Sequence, residues 1–264
     1  MPGISVRRLD FGYGDNRIFN GLNLELGEEN PVVILGPSGC GKTTLLFLIA
    51  GLRKPQGGEI VFRDGRPDGC PDGCPDGRRN PAAPSGPSGP PAALVFQEPR
   101  LLPWMTALEN TALPLLRPFG KQGGRERALH FLELAGLAGK AGSLPAELSG
   151  GQQQRVNLAR AFAFPSPVIL LDEPFQSLDI PLKVGLMDLV MTMLEQEQGR
   201  LVVAVTHDPR EAVYLGRRII VLGGAGPGVV PVFDEALNLE SRSYGSPAQA
   251  ALEQRLLARI SAYT

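Results

Sequence analysis

Leu148-Ser149-Gly150-Gly151-Gln152-Gln153-Gln154-Arg155 is the stretch on which the reading of this chain turns. It lies shortly before Val168-Ile169-Leu170-Leu171-Asp172-Glu173, an all-apolar run closed by two acids. Far upstream, Gly36-Pro37-Ser38-Gly39-Cys40-Gly41-Lys42-Thr43 matches the pattern GxxxxGK[ST], a phosphate loop. Many ATPases carry such a loop. Few also place an LSGGQ-type segment in front of an apolar strand that ends in Asp-Glu.

Each of these residue types suits a definite chemistry. Glycines let backbone N–H groups turn toward the β- and γ-phosphates, and the following helix offers its N-terminal dipole to the same anion. Lys42 supplies a point charge at those oxygens and the Thr43 hydroxyl a ligand for Mg²⁺, with Thr44 continuing the cradle begun at Gly36 and Pro37. A buried strand delivers Asp172 to its C-terminal end, where a carboxylate can complete the Mg²⁺ shell. Glu173 is then the residue to orient and polarise an attacking water. Taken alone, adjacent acids often do no more than solubilise a strand end; downstream of a phosphate loop they read as chemistry.

The bulk properties bound the partners. With 264 residues the chain is long enough to bury a substantial core. A net charge of −1 and a pI near 6.2 give no general pull toward nucleic acid. No apolar run reaches the roughly 18 residues needed to span a bilayer, and the charged first ten residues are unlike a secretory leader. The expectation is a soluble protein of a reducing compartment, whose membrane role comes through a partner.

Residues 22–26 alternate apolar and polar, as a half-buried strand does, and residues 60–62 continue a β-rich start. Residues 31–35, 168–171 and 201–205 are apolar throughout, the pattern of strands covered on both faces in a parallel sheet, and residues 218–222 extend the series. Parallel strands need crossover helices, expected at 45–52, 151–164 and 182–198. Residues 109–148 read as short helices broken by Pro and Gly, within a helical subdomain covering about 98–163. Residues 65–91 contain Arg66-Pro-Asp-Gly, Cys70-Pro-Asp-Gly and Cys74-Pro-Asp-Gly followed by Pro/Ser/Gly repeats. Almost nothing there can fill a core, so the segment reads as a disordered surface insertion. The CxxxC spacing of Cys70 and Cys74 hints at zinc, but a structural site usually takes four ligands, and neither a nearby His nor a second Cys pair supplies them.

Together these motifs resemble the ATP-binding cassette (ABC) family over nearly the whole chain, with residues 65–91 as the conspicuous gap. The resemblance implies an α/β fold: a nucleotide-binding core with a parallel sheet, an antiparallel β layer and an inserted helical subdomain, as one nucleotide-binding domain. It assigns Gln97, in Val95-Phe96-Gln97-Glu98, to sensing the γ-phosphate and metal where a transmembrane partner docks. It makes Ser149, Gly150, Gly151 and Gln152 the signature segment that closes over ATP held by a second subunit. Ser149 is also a good N-cap for the helix after it, so its hydroxyl and the next amides form an anion site. Ser177-Leu178-Asp179 matches the loop crossing that interface. His207 matches the switch histidine at the γ-phosphate, and Tyr13 lies where the family sets a ring against adenine. Phe11, two residues before Tyr13, leaves either ring open to being a core aromatic. His130 reads as a helix-surface residue.

Three features resemble importer cassettes. The chain holds one cassette and no fused span; Leu144-Pro145-Ala146-Glu147 precedes the signature; and Leu101-Leu102-Pro103-Trp104 follows Gln97, as in the nitrate/sulfonate/taurine and thiamine-precursor branch. Trp104, the sole tryptophan, suits either a docking surface or the core of the helical subdomain. The sequence departs from that branch at Gln153, at Gln176-Ser177 and at residues 180–183. The resemblance thus implies an ATP-hydrolysing importer subunit at the cytoplasmic face of the membrane, using Mg²⁺ and ATP. It would act as a homodimer or paired with a related subunit, on a separate permease, and through it with an extracytoplasmic solute-binding protein. The alternative is a non-transport ABC ATPase or a regulatory scaffold. Sustained heptads, which a chromosome-organising ATPase would need, do not occur, and Lys42, Asp172, Glu173 and His207 are all retained against a scaffold that has lost its chemistry.

Overall fold

The computed structural model describes residues 2–27, 29–63, 92–176, 178–224, 228–237 and 246–261. The insertion read at residues 65–91, with Cys70 and Cys74, lies outside them, as does Ser177.

A six-stranded sheet forms the centre. It comprises β3 (Val32–Leu35), β5 (Ala92–Val95), β6 (Val168–Asp172), β7 (Leu201–Thr206), β8 (Arg218–Gly224) and β9 (Val229–Ala236), in the order β5-β6-β7-β3-β8-β9. Only β9 runs antiparallel, against β8. The all-apolar runs are buried on both faces as the pattern requires: every residue of β3, β6 and β7 is buried. Their side chains divide by parity. Val33, Leu35, Ile169, Leu171, Val202 and Ala204 enter one core, and Val32, Ile34, Val168, Leu170, Leu201 and Val203 the other.

The second core is closed by a three-stranded antiparallel layer and by α1 (Lys42–Ile49). That layer consists of β1 (Gly3–Tyr13), β2 (Asn16–Leu26) and β4 (Gly57–Arg63) in the order β2-β1-β4. The run at 22–26 is only the end of β2, and β1 has no clean alternation to announce it. A register shift between Val6 and Leu9, with Arg8 at φ 47°, breaks the period of two. Helix α1 starts and stops earlier than the apolar run at 45–52. Gly41 turns the chain in at φ 95°, and Gly51, at φ 71°, ends the helix, leaving Leu52 exposed.

The first core is covered by α2 (Ala107–Ala112), α3 (Leu116–Leu134), α4 (Gly150–Ala163), α5 (Ile180–Gln196), α6 (Pro209–Leu215) and α7 (Pro247–Ser261). The short helices broken by Pro and Gly expected over 109–148 are found: a 3-10 turn at Leu113–Leu115 follows α2, two more lie at Ala138–Lys140 and Pro145–Glu147, and α3 is two helices joined across a kink at Gly120 (φ 71°, ψ −179°). Gly124 continues α3 because the lack of a side chain lets the helix lie on Leu115, whose Cβ would stand 3.1 Å from an added Cβ. Strands β3, β6 and β7 all point their C-terminal ends toward one edge of the sheet, which is where ligands sit in folds of this type.

Candidate functional site

The loop after β3 is shaped by two glycines with left-handed φ, Gly39 at 81° and Gly41 at 95°. At Gly41 a Cβ would come within 2.5 Å of Ile18 Cγ2, so the loop can press on the β1–β2 hairpin only with glycine there. The loop curls around Lys42. Its Nζ donates to the carbonyls of Gly36 and Pro37, each at 2.9 Å, and lies 3.7 Å from Glu173 Oε1. Thr43 Oγ1 donates to Asp172 Oδ1 at 2.7 Å. Burial pushes the Asp172 carboxyl above the ordinary carboxylate range, against the pull of the Thr43 hydroxyl; a cation beside it would reverse that cost.

Glu173 stands in the left-handed region, at φ 43°, immediately past the end of β6. Its N–H is held by Val205 O of the neighbouring strand at 3.1 Å. Strained backbone of this kind persists only where surrounding structure fixes it, and it concentrates at functional sites. Beyond β7, His207 reaches back so that Nδ1 lies 2.8 Å from Glu173 Oε2. Lys42, Glu173 and His207 therefore form one chain of contacts beside the Thr43–Asp172 pair. These residues come from three strand ends that the sheet order makes neighbours.

A cavity of about 300 Å³ opens here, lined by Tyr13, Ile18, Ser38, Gly39, Gly41, Lys42, Thr43, Thr44 and Glu173. The two aromatic candidates separate cleanly: Phe11 is a core residue, while Tyr13 is 44% exposed at the cavity wall with the Arg53 guanidinium 5.4 Å from its ring centre. Cys40 does not line the cavity, and burial pushes its thiol pKa up.

Other expected residues lie apart. Gln97 follows β5 and donates to the Gln176 side chain. Ser149 caps α4: its Oγ accepts from Gln152 N at 3.3 Å while Gln152 Oε1 accepts from Ser149 N at 3.0 Å. Gly151 packs so closely on Leu182 that a Cβ would meet Cδ2 at 2.6 Å. Ser149 and Gly150 are exposed, and none of residues 149–152 lines the cavity beside Lys42. Exposed His130 sits on the surface of α3, as expected.

A model of the ABC transporter family matches residues 19–176, a span that includes both the phosphate loop and the capped segment at Ser149. The chain belongs to the ABC transporter family. Among relatives of this cassette, the aliphatic sulfonates import ATP-binding protein SsuB 1 of Rhizobium johnstonii is 36% identical over 97% of this chain and 86% of its own. SsuB of Ralstonia nicotianae is 39% identical over 94% of this chain and 78% of its own. Of solved structures, the dimeric post-hydrolysis state of the cassette MJ0796 bound to ADP and Pi superposes with a TM-score of 0.68. It shares 33% identity, with 89% of this chain and 99% of that one covered. The fold expected from the motifs is thus the observed one, and the cassette is an ATP-binding ATPase of a transport family.

Sequence reasoning missed three residues of the site. Ile18, which shapes the loop at Gly41, sits in a strand whose pattern gave no sign of it. Gln176, by sequence a departure from the importer branch, is the partner of Gln97. Asn110, 1% exposed, bonds Leu102 N, Leu102 O, Met105 O and Thr106 O, and so fixes the segment that carries Trp104. Trp104 itself is 70% exposed, which overturns its reading as a filler of the helical core.

Proposed function

We propose that the chain is the ATP-hydrolysing subunit of an importer, and that Glu173 activates the water that attacks the γ-phosphate. The observation that carries this is the contact chain Lys42–Glu173–His207 running beside Thr43 and Asp172 at the mouth of one cavity. Tyr13 stacks on the adenine at the outer wall. Residues 36–44 hold the phosphates with backbone amides, Lys42 and the first turn of α1. Glu173 orients the water and takes its proton, while His207 holds the Glu173 carboxylate and meets the γ-phosphate.

Thr43 and Asp172 form the kind of oxygen donor pair a hard cation takes, the rest of its shell coming from phosphate and water. They would hold Mg²⁺, with Gln97 approaching from the β5 end. Bound there, Mg²⁺ supplies neutralisation of the charge on the phosphate oxygens.

Because the capped Ser149–Gln152 segment lies away from this chain's own cavity, it serves ATP held by a second copy or a close relative. The dimeric state of MJ0796 supports that arrangement. ATP then makes contacts that exist only in the closed pair, and so shifts the open/closed equilibrium. No helix among the described residues is long and apolar enough to cross a membrane. In this reading transport runs through a permease, docked on residues 97–109 at the cytoplasmic face, with a solute-binding protein on the other side, as the names of the import relatives support. The names of the sulfonate-import relatives support the importer assignment and suggest an organic anion of that class as cargo.

Glu173→Gln tests the chemistry. It should keep ATP binding, accumulate as an ATP-bound dimer on size exclusion and lose turnover by about 10²-fold or more, the usual worth of a positioned base. Hydrolysis near the wild-type rate would refute the assignment.

A further inference from the structure

The turn that carries His207 is braced from behind by a partly buried charge network centred on Glu211. Thr206, the last residue of β7, donates from Oγ1 to Glu211 Oε2 at 2.5 Å and accepts from Asp208 N at 3.1 Å. Asp208 Oδ1 caps α6 by accepting from Arg210 N at 2.9 Å. Glu211 is only 3% exposed, and a buried carboxylate needs a counter-charge. That charge is Lys183, whose Nζ donates to Glu211 Oε1 at 2.8 Å and lies 3.6 Å from Asp208 Oδ2.

Lys183 comes from elsewhere in the site. It sits in the first turn of α5, and its N–H bonds Asp179 O, the end of the segment that leads away from Glu173. The ammonium thus joins the chain just downstream of Glu173 to the turn just around His207. Among the described residues the ring of His207 contacts Glu173, and the Thr206–Asp208 bond holds the turn around it, so the direction of the ring depends on how residues 206–208 are held. Burial alone would lower the Lys183 pKa, but the hydrogen bond and charge of Glu211, with Asp208 behind them, hold it above the ordinary lysine value.

We propose that Lys183 is a positioning residue for ATP hydrolysis, which acts through Glu211 and Asp208 to aim His207 at Glu173. This rests on the reading that His207 takes part in hydrolysis, and the test keeps the two apart. Lys183→Met should lower kcat roughly tenfold or more, since small displacements of catalytic groups cost that much. The KM for ATP should stay within about twofold, because none of these residues lines the nucleotide cavity. Lys183→Arg, which can still bridge both acids, should recover most of the rate. In a His207→Ala background, Lys183→Met should cost little further, as two parts of one device do not add.

Removing Lys183 alone leaves Glu211 buried and uncompensated, so the neutral pair Lys183→Met/Glu211→Gln is measured beside it, with melting temperature as the check on folding. The pair should fold and still turn over slowly. A pair that hydrolyses at the wild-type rate overturns the proposal, as does an equal fold loss from Lys183→Met with and without His207. His207→Ala at the wild-type rate would sink the reading of the site and this inference with it. Loss in His207→Ala with Lys183→Met at full rate would sink the inference alone.

Discussion

Asn110 offers the sharpest test of how the proposed docking surface is built. Its side chain replaces the secondary structure that residues 102–106 lack: Oδ1 accepts from Leu102 N at 2.8 Å, and Nδ2 donates to Leu102 O at 3.1 Å, Met105 O at 2.8 Å and Thr106 O at 3.1 Å. Asn110→Ala removes them all. An amide has two N–H donors, so one is shared between carbonyls and the set amounts to about three full bonds, which at roughly 0.5–1.5 kcal/mol each span about 1.5–4.5 kcal/mol. Leu102, Met105 and Thr106 are only half-buried, so water can return to their backbone groups, and the lower part applies: about 2–3 kcal/mol. For a chain of this length that lowers the melting temperature by roughly 5–10 °C. Asn110→Asp should be at least as damaging, because it keeps the acceptor for Leu102 N and turns a charge toward three carbonyls. Urea denaturation gives the free energy, and amide exchange at Leu102 locates it. A change within about 0.5 kcal/mol, with the Leu102 amide still protected, would show that the segment holds its shape without Asn110.

Two further changes separate binding from packing. Trp104→Ala should cost the isolated subunit about 1 kcal/mol, well under the 3–5 kcal/mol of a buried tryptophan, yet abolish stimulation of its ATPase by the reconstituted permease; intact stimulation would remove Trp104 from the docking surface. Tyr13→Ala should weaken ATP binding roughly tenfold with little change in melting temperature, as loss of a stacking ring does, whereas Phe11→Ala should unfold the chain at lower temperature by emptying a buried site; unchanged ATP affinity in Tyr13→Ala would argue against stacking.

The catalytic half of the candidate site was legible because its residues sit at the ends of strands whose composition declares them. Val32–Leu35 and residues 168–171 and 201–205 are apolar on every residue, so both faces are covered and the strands run parallel. The polar residues that follow must then emerge along one edge. Sequence alone could therefore place Lys42, Asp172, Glu173 and His207 on the same side of a sheet. What it could not give is strand order. That order brings β6 and β7 together, and it decides that Glu173 meets His207 rather than facing it across another strand.

The parts that escaped the sequence share a different property: they depend on a single polar side chain satisfied by remote backbone or by one counter-ion. Asn110 and Lys183 have no period and no motif, and each is explained only by what it touches. The distinction has a consequence for variation in this chain. A departure such as Gln176 looks like drift when compared position by position, but its amide is paired with Gln97, so the two side chains form a unit and a change at one alters what the other can contact. The same holds for residues 180–183. They depart from the importer pattern, yet they include Lys183, the cation that pairs with Glu211 behind His207. What Lys183 keeps in place of the local motif is the charge, because a buried carboxylate stripped of its counter-ion is strongly destabilising.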